Sequence, residues 1–142
     1  MLLRGVVRRL RRELGEGGLA VTAAFKRAVE TRLHPQGRHL RLLVRAGQGC
    51  GGFTYEFAPE AFDTDEAGLV LFCADGASYL AVRESHLPFL AGAVLDFEQS
   101  LQRTAFEVRD NPNALSTCSC RKSFSPKPET MQAARSSSAR PS

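Results

Sequence analysis

Residues 69–74 (Leu-Val-Leu-Phe-Cys-Ala) and 77–82 (Ala-Ser-Tyr-Leu-Ala-Val) are two apolar runs of strand length separated by Asp75-Gly76. Asp-Gly between two such runs is a strong signal for a tight β-hairpin, because both central residues tolerate positive φ. An apolar hairpin of this kind needs a packed face, so it commits the chain to a fold with a sheet at its centre. Cys73 lies inside the first run and reads as a small buried hydrophobe.

Other segments extend the pattern. In His39–Ala46, Leu40, Leu42 and Val44 alternate with polar neighbours, and in Phe53–Phe57 the aromatics Phe53, Tyr55 and Phe57 share one side. Thr22 can cap a helix running to about Leu33, with Phe25, Ala28, Val29 and Leu33 on one face and Pro35 and Gly37 ending it. A short helix is expected after Ser85, with Pro88 in its first turn and Gly92 as terminator. Ala93–Phe97 and Gln102–Arg109 complete the strands. The expectation is a small α+β domain, mainly β, over residues 19–124, with one N-terminal helix, one short helix and mixed short strands.

The charge is unevenly placed. The chain carries a net +4, yet residues 1–12 hold Arg4, Arg8, Arg9, Arg11 and Arg12 with no acid, residues 121–142 carry +4, and residues 13–120 carry −5. A folded part that is acidic lacks the basic face that nucleic acid requires, so no such partner is expected. No apolar run reaches the roughly 20 residues of a membrane-spanning helix, and no membrane partner is expected. On a helical wheel, Leu3, Val6, Val7, Leu10 and Leu14 oppose the arginines. Residues 1–18 therefore read as an amphipathic mitochondrial transit peptide and its glycine linker, or alternatively as an ordinary surface helix or a membrane-surface helix, the protein then being cytoplasmic. Residues 125–142, rich in Pro, Ser and Ala, read as a disordered tail.

Chemistry concentrates in cysteine. Cys50 sits in Gln48-Gly49-Cys50-Gly51-Gly52, and Cys118 and Cys120 end the stretch Asn111-Pro112-Asn113-Ala114-Leu115-Ser116-Thr117-Cys118-Ser119-Cys120. Thiolates on glycine- and serine-rich backbone are soft ligands for zinc, copper(I) or iron–sulfur clusters. Their spacing is C-x-C rather than C-x-x-C, and three thiolates do not complete a four-thiolate site. Metal or cluster binding, thiol–disulfide chemistry and incidental thiols remain open on these grounds. His34, His39 and His86 lack ligand-pair spacing and read as surface residues. Asp63, Asp65 and Glu66 lack calcium-loop spacing and read as a solvated loop. Nucleophile elbows, phosphate-binding loops and dinucleotide fingerprints are not found.

Gly49-Cys50-Gly51-Gly52-Phe53, Asn111-Pro112-Asn113-Ala114, Cys118-Ser119-Cys120 and Ser123-Phe124 together resemble the A-type iron–sulfur cluster assembly proteins, the HesB/IscA family. Val94-Leu95-Asp96-Phe97 fits that family's strand before the Asn-Pro segment. Phe53-x-Tyr55-x-Phe57, Phe106-Glu107-Val108 and Cys-Ser-Cys are most similar to its second mitochondrial paralogue. The likeness covers about residues 20–126. Gly51 stands where Ser is usual, and Arg121 where Gly is more common. The resemblance implies a HesB-like sandwich with its cysteines on loops and in the C-terminal segment. It also implies Cys50, Cys118 and Cys120 as ligands of a 2Fe–2S or 4Fe–4S cluster. The role implied is a carrier rather than an enzyme, located in the mitochondrial matrix. It would work as a homodimer, or as a heterodimer with an A-type paralogue. Donors such as monothiol glutaredoxin would supply it, and it would deliver to apo-proteins during maturation of 4Fe–4S proteins. Two alternatives stay open: an iron- or zinc-binding storage or chaperone protein without sulfide, and a thiol–disulfide oxidoreductase.

Overall fold

The computed structural model describes residues 10–15, 18–46, 52–64, 66–117 and 123–139. Their elements are, in chain order, β1 (Leu10–Glu13), β2 (Ala20–Val21), α1 (Ala23–Arg32), β3 (Arg38–Ala46), β4 (Phe53–Ala61), β5 (Leu69–Ala74), β6 (Ala77–Arg83), β7 (Val94–Gln99), β8 (Thr104–Arg109), β9 (Ala114–Thr117), β10 (Ser123–Pro126) and α2 (Pro128–Ala139). Short 3-10 turns occupy His34–Gln36 and Glu84–Phe89. The strands form two sheets, one ordered β1-β5-β6-β3-β4-β10-β9 and the other β2-β7-β8. The α+β, mainly β expectation holds. No helix among the described residues is long and apolar enough to cross a membrane.

The Asp75-Gly76 step forms the expected hairpin. Both residues are left-handed, at φ 53 and 79, as a two-residue turn matched to strand twist requires. A register shift between Phe72 and Cys73 leaves Phe72 opposite Leu80 but Cys73 opposite Ser78. Tyr79 is the extra residue of a bulge, which lets Phe72, Tyr79 and Leu80 all join the core.

Helix α1 follows its pattern. The Thr22 hydroxyl accepts the Phe25 N–H at 3.1 Å and donates to Asp96 at 2.6 Å, so one side chain both caps the helix and ties it to β7. Phe25, Val29 and Leu33 meet Leu40, Leu42 and Val44 of β3, Leu80 and Val82 of β6, and Leu95 of β7 in one buried cluster between the layers.

Three expectations are corrected. Leu10–Glu13 is a strand, parallel to β5 from Leu10↔Val70 to Glu13↔Cys73, not part of a helix; edge pairing outweighs a helical wheel when an apolar neighbour strand is available. Residues 1–9 lie outside the described set. The stretch after Ser85 is 3-10 rather than α, begins at Glu84 and has no side-chain cap. The tail expected to be disordered carries β10 and α2 through Ala139; Thr130 is buried and Met131 packs on the core, which supplies the apolar contact that composition alone did not promise.

Candidate functional site

Cys50, Cys118 and Cys120 lie outside the described residues, but the backbone that carries them does not. Ala46 and Phe53 are register partners at one end of the β3–β4 pair, and residues 47–52 connect them. Phe124 of β10 pairs with Phe53 on one side and with Thr117 of β9 on the other, and residues 118–122 connect β9 to β10. The two cysteine-bearing connections thus leave from the same end of four adjacent strands. Neighbouring strands stand about 4.8 Å apart. Cys118 directly follows Thr117, and Cys50 and Cys120 are each three residues from a strand end, a reach of roughly 10 Å.

Aromatic rings floor this end. Phe124 is fully buried and stacks on Tyr55 with centroids 4.6 Å apart and planes 9° apart. Phe53 contacts Phe89 at 5.3 Å and Phe124 at 5.8 Å. The strand ends that anchor the two connections are therefore held by ring packing as well as by ladder bonds.

Asn111 ties the turn before β9 to β4 and to Phe89. Its side-chain amide donates to the Tyr55 hydroxyl at 2.6 Å and to the Phe89 carbonyl at 2.7 Å. Its Oδ1 accepts from the Asn113 N–H at 3.0 Å. A bond from the turn before β9 to the third residue of β4 fixes the distance between the two anchors. Burial pushes the Tyr55 phenol up to about 12, with the Asn111 bond acting the other way, so it stays a neutral hydroxyl. The approach of this turn is close: Gly92 has φ +84, and a Cβ there would stand 2.7 Å from Pro112 Cγ. Tyr55, Phe124 and Asn111 were not singled out for this role from sequence. The Asn111-Pro112 step was the available signal, since Asn before Pro favours a side-chain-stabilised turn.

Of the other titratable groups, His86 borders this end through Val44, the register partner of Tyr55, while Cys73, His34, His39 and Glu66 stand apart from it. Cys73 is half-buried, less enclosed than its run suggests, and packs on Leu69, Leu71 and Ala81; burial pushes its thiol up, which suits an unreactive side chain. The histidines are not surface residues. His39 is fully buried, bonded to Ser78 Oγ at 2.8 Å and to Glu60 at 2.9 Å. His34 bonds the Ser78 carbonyl at 2.9 Å and meets the Tyr79 ring edge-on at 4.5 Å. His86 Nδ1 accepts the Val44 N–H at 3.3 Å, and burial holds its pKa down at about 4.

Glu66 is likewise no free loop acid. It bonds Arg41 at 2.8 Å and Arg83 at 3.1 Å. Burial would raise its pKa, but these partners hold it below the usual carboxylate range. Arg41 also bonds Glu60 at 2.7 Å. His39 and Arg41 alternate along β3 with the core residues Leu40 and Leu42, and Glu60 of β4 and Glu66, beyond the end of β4, supply their partners. Among the described residues no group of three or more His, Cys, Asp or Glu could hold a metal ion.

No family model matches the chain. Over 116 residues, 81% of this chain and 71% of the relative, it is 35% identical to the iron–sulfur cluster assembly 2 homolog, mitochondrial, of Mus musculus. The chain belongs to the A-type iron–sulfur cluster assembly family. Over 104 residues this A-type protein is also 39% identical to the iron–sulfur cluster insertion protein ErpA of Saccharophagus degradans, covering 72% of this chain and 83% of that one. Among solved structures, that of IscA with the [2Fe-2S] cluster superposes with a TM-score of 0.62 at 25% identity, over 77% of this chain and 98% of that one. The A-type fold expected from the cysteine motifs is thus the fold observed.

Proposed function

We propose that this A-type protein receives an iron–sulfur cluster as cargo on Cys50, Cys118 and Cys120 and passes it to apo-proteins that mature as 4Fe–4S proteins. The observation that carries the reading is the register Phe124↔Phe53 and Phe124↔Thr117, which starts both thiol-bearing connections from one end of the sheet. Soft thiolates match iron–sulfur chemistry, and the solved IscA neighbour was determined with a [2Fe-2S] cluster. An incomplete ligand set on connections suits a cluster meant for release, because an incoming thiolate can exchange with a bound one. Both common clusters take four protein ligands. One chain offers three, so the functional unit is a dimer, with a second copy or an A-type paralogue, and the cluster lies at its interface. A monothiol glutaredoxin is the donor type this arrangement fits. The role is that of a carrier without turnover chemistry of its own.

Residues 1–12, with five arginines and no acid, support import into the mitochondrial matrix, in keeping with the mitochondrial relative from mouse. Processing at the glycine linker would detach β1 from β5, so the N-terminal sequence of the mature protein reads both points at once. A reporter fused to residues 1–18 that stays cytosolic would sink the import reading.

The test of function is anaerobic reconstitution of the wild type and of each Cys→Ser variant, read by Mössbauer spectra and acid-labile sulfide. Cluster is expected on the wild type and is lost or sharply weakened when Cys50, Cys118 or Cys120 becomes Ser. Bound iron or zinc without sulfide would instead favour a storage protein, and insulin-reduction turnover a thiol–disulfide enzyme.

A further inference from the structure

Strand β8 closes the three-stranded sheet, with β7 on one side and no described strand on the other. Strand β4 pairs with β3 from Phe53 to Ala61, whereas among the described residues β10 covers its other side only at Phe53 and Thr54. Between β4 and β8 lies a cleft of about 410 Å³. Tyr55, Glu56 and Phe57 form one wall, and Ala105, Phe106 and Glu107 the other. Successive side chains of a strand point to opposite faces, so three consecutive residues on each wall mean that the cleft meets both strands edge-on. Phe57 and Phe106, with ring centroids 5.9 Å apart, bridge its floor, and Phe106 rests in turn on Phe25 of α1 at 5.4 Å. The walls run in opposite directions: Tyr55 reaches Asn111, beyond the end of β8, while Phe57 meets Phe106 in its middle.

We propose that this cleft is a docking slot for a short extended segment of another protein, apolar where it faces the floor and basic where it faces outward. A segment laid there adds a strand to both sheets at once, antiparallel to one wall and parallel to the other, and draws its affinity from main-chain bonds. Pro59 limits the length. Proline is tolerated in a strand where its missing N–H faces an edge, so the usable edge of β4 runs over residues 55–58, roughly 13 Å of strand. Tyr55, Phe57, Phe106 and Val108 turn toward the core, so Glu56 and Glu107 stand on the outward side of the walls. Glu56 is 52% exposed even while bonded to Arg45 at 2.9 Å, and a second cation can approach it. Arg103 stands at one end and confines the basic preference to the stretch between the two carboxylates. A second copy of this chain fits less well, because residues 13–120 carry −5 and repel their like. The proposal rests on these two strand edges and not on the carrier reading.

The probe is a capped pentapeptide, Val-Lys-Val-Lys-Val, titrated into the metal-free full chain, with Val-Glu-Val-Glu-Val as its control. Amide hydrogen exchange and amide chemical shifts read the outcome residue by residue. Expected at saturation is about tenfold slower exchange in residues 55–58 and in β8, with β5 and β6 unchanged. Glu56→Lys should weaken the basic peptide by about tenfold and strengthen the acidic one. Should that variant not fold, the preference of the wild type for the basic peptide over the acidic one carries the measurement. Protection of neither strand, or of one alone, or equal affinity for the two peptides, overturns the slot. Protection of the same residues that grows with protein concentration in the absence of peptide assigns the cleft to a second copy and overturns the proposed partner.

Discussion

Single side chains set the precision of the thiol end. Tyr55→Phe removes the hydroxyl that accepts from Asn111 while leaving the ring stacked on Phe124. The loss should be roughly 1 kcal/mol in urea unfolding, with slower cluster uptake than stability alone explains. Cys73→Ala should cost about 1 kcal/mol, since the thiol is only half-buried, and should leave cluster retention intact; loss of cluster in that variant would place a ligand where the chain has only packing. The three candidate ligands could be named from sequence because thiols in glycine and serine settings have little packing purpose. The histidines could not be placed. His39 alternates with Leu40 along β3 and so looked solvent-facing, but Ser78 and Glu60 from neighbouring strands enclose it. Such partners, distant in sequence, leave no local trace.

At the scale of elements, local chemistry was legible and borrowed stability was not. Thr22, the Asp75-Gly76 turn and the period-two runs each contain their own instructions, and α1, the β5–β6 hairpin and β3 to β4 formed as those dictate. Strand β1 and helix α2 depend on what they lie against. The former is an edge supplied by β5, the latter a seat on the Glu84–Phe89 turn and Asn113. The turn before β9 can be probed at Gly92. Gly92→Ala must accept φ +84 and a Cβ 2.7 Å from a proline ring, and should cost more than about 1 kcal/mol in a thermal melt. Phe124→Ala empties the fully buried floor of the site. A loss of about 3–5 kcal/mol is expected, and a near-neutral result would mean that β10 is held by its ladder alone.

For the whole molecule, acid stability draws on His86, Glu66 and Asp96. His86 holds a folded pKa of about 4 against 6.5 when free, through burial and then the positive charges of Arg83, Arg41 and Arg45, partly offset by Glu66. The unfolded chain binds this proton first, so the contribution is complete above pH 6.5 and is lost as pH falls toward 4. Glu66 and Asp96, both held below the ordinary carboxylate range, lose their contributions lower still, as pH falls through their folded values. Urea midpoints should therefore be level from pH 6.5 to about 8, short of the range in which thiols and phenols ionise, and decline below 6.5. His86→Gln, whose amide oxygen can still accept the Val44 N–H, should flatten the upper part of that decline; a wild-type curve level down to pH 4 would contradict the account. The α+β class was readable because the apolar runs demanded a sheet, whereas the order β3-β4-β10-β9 was not, since long-range pairing is chosen among edges that look alike in sequence. That same order imposes a timetable on a chain emerging from a ribosome. Strands β3 and β4 are neighbours in sequence and can close around the Cys50 connection early. Strand β10 must wait until Pro126 has been synthesised, then find β4 across most of the intervening chain, a step of high contact order and hence a slow one. A nascent or truncated polypeptide therefore holds the β3–β4 pair, with Phe53 at its end, before β10 and β9 can be laid beside it.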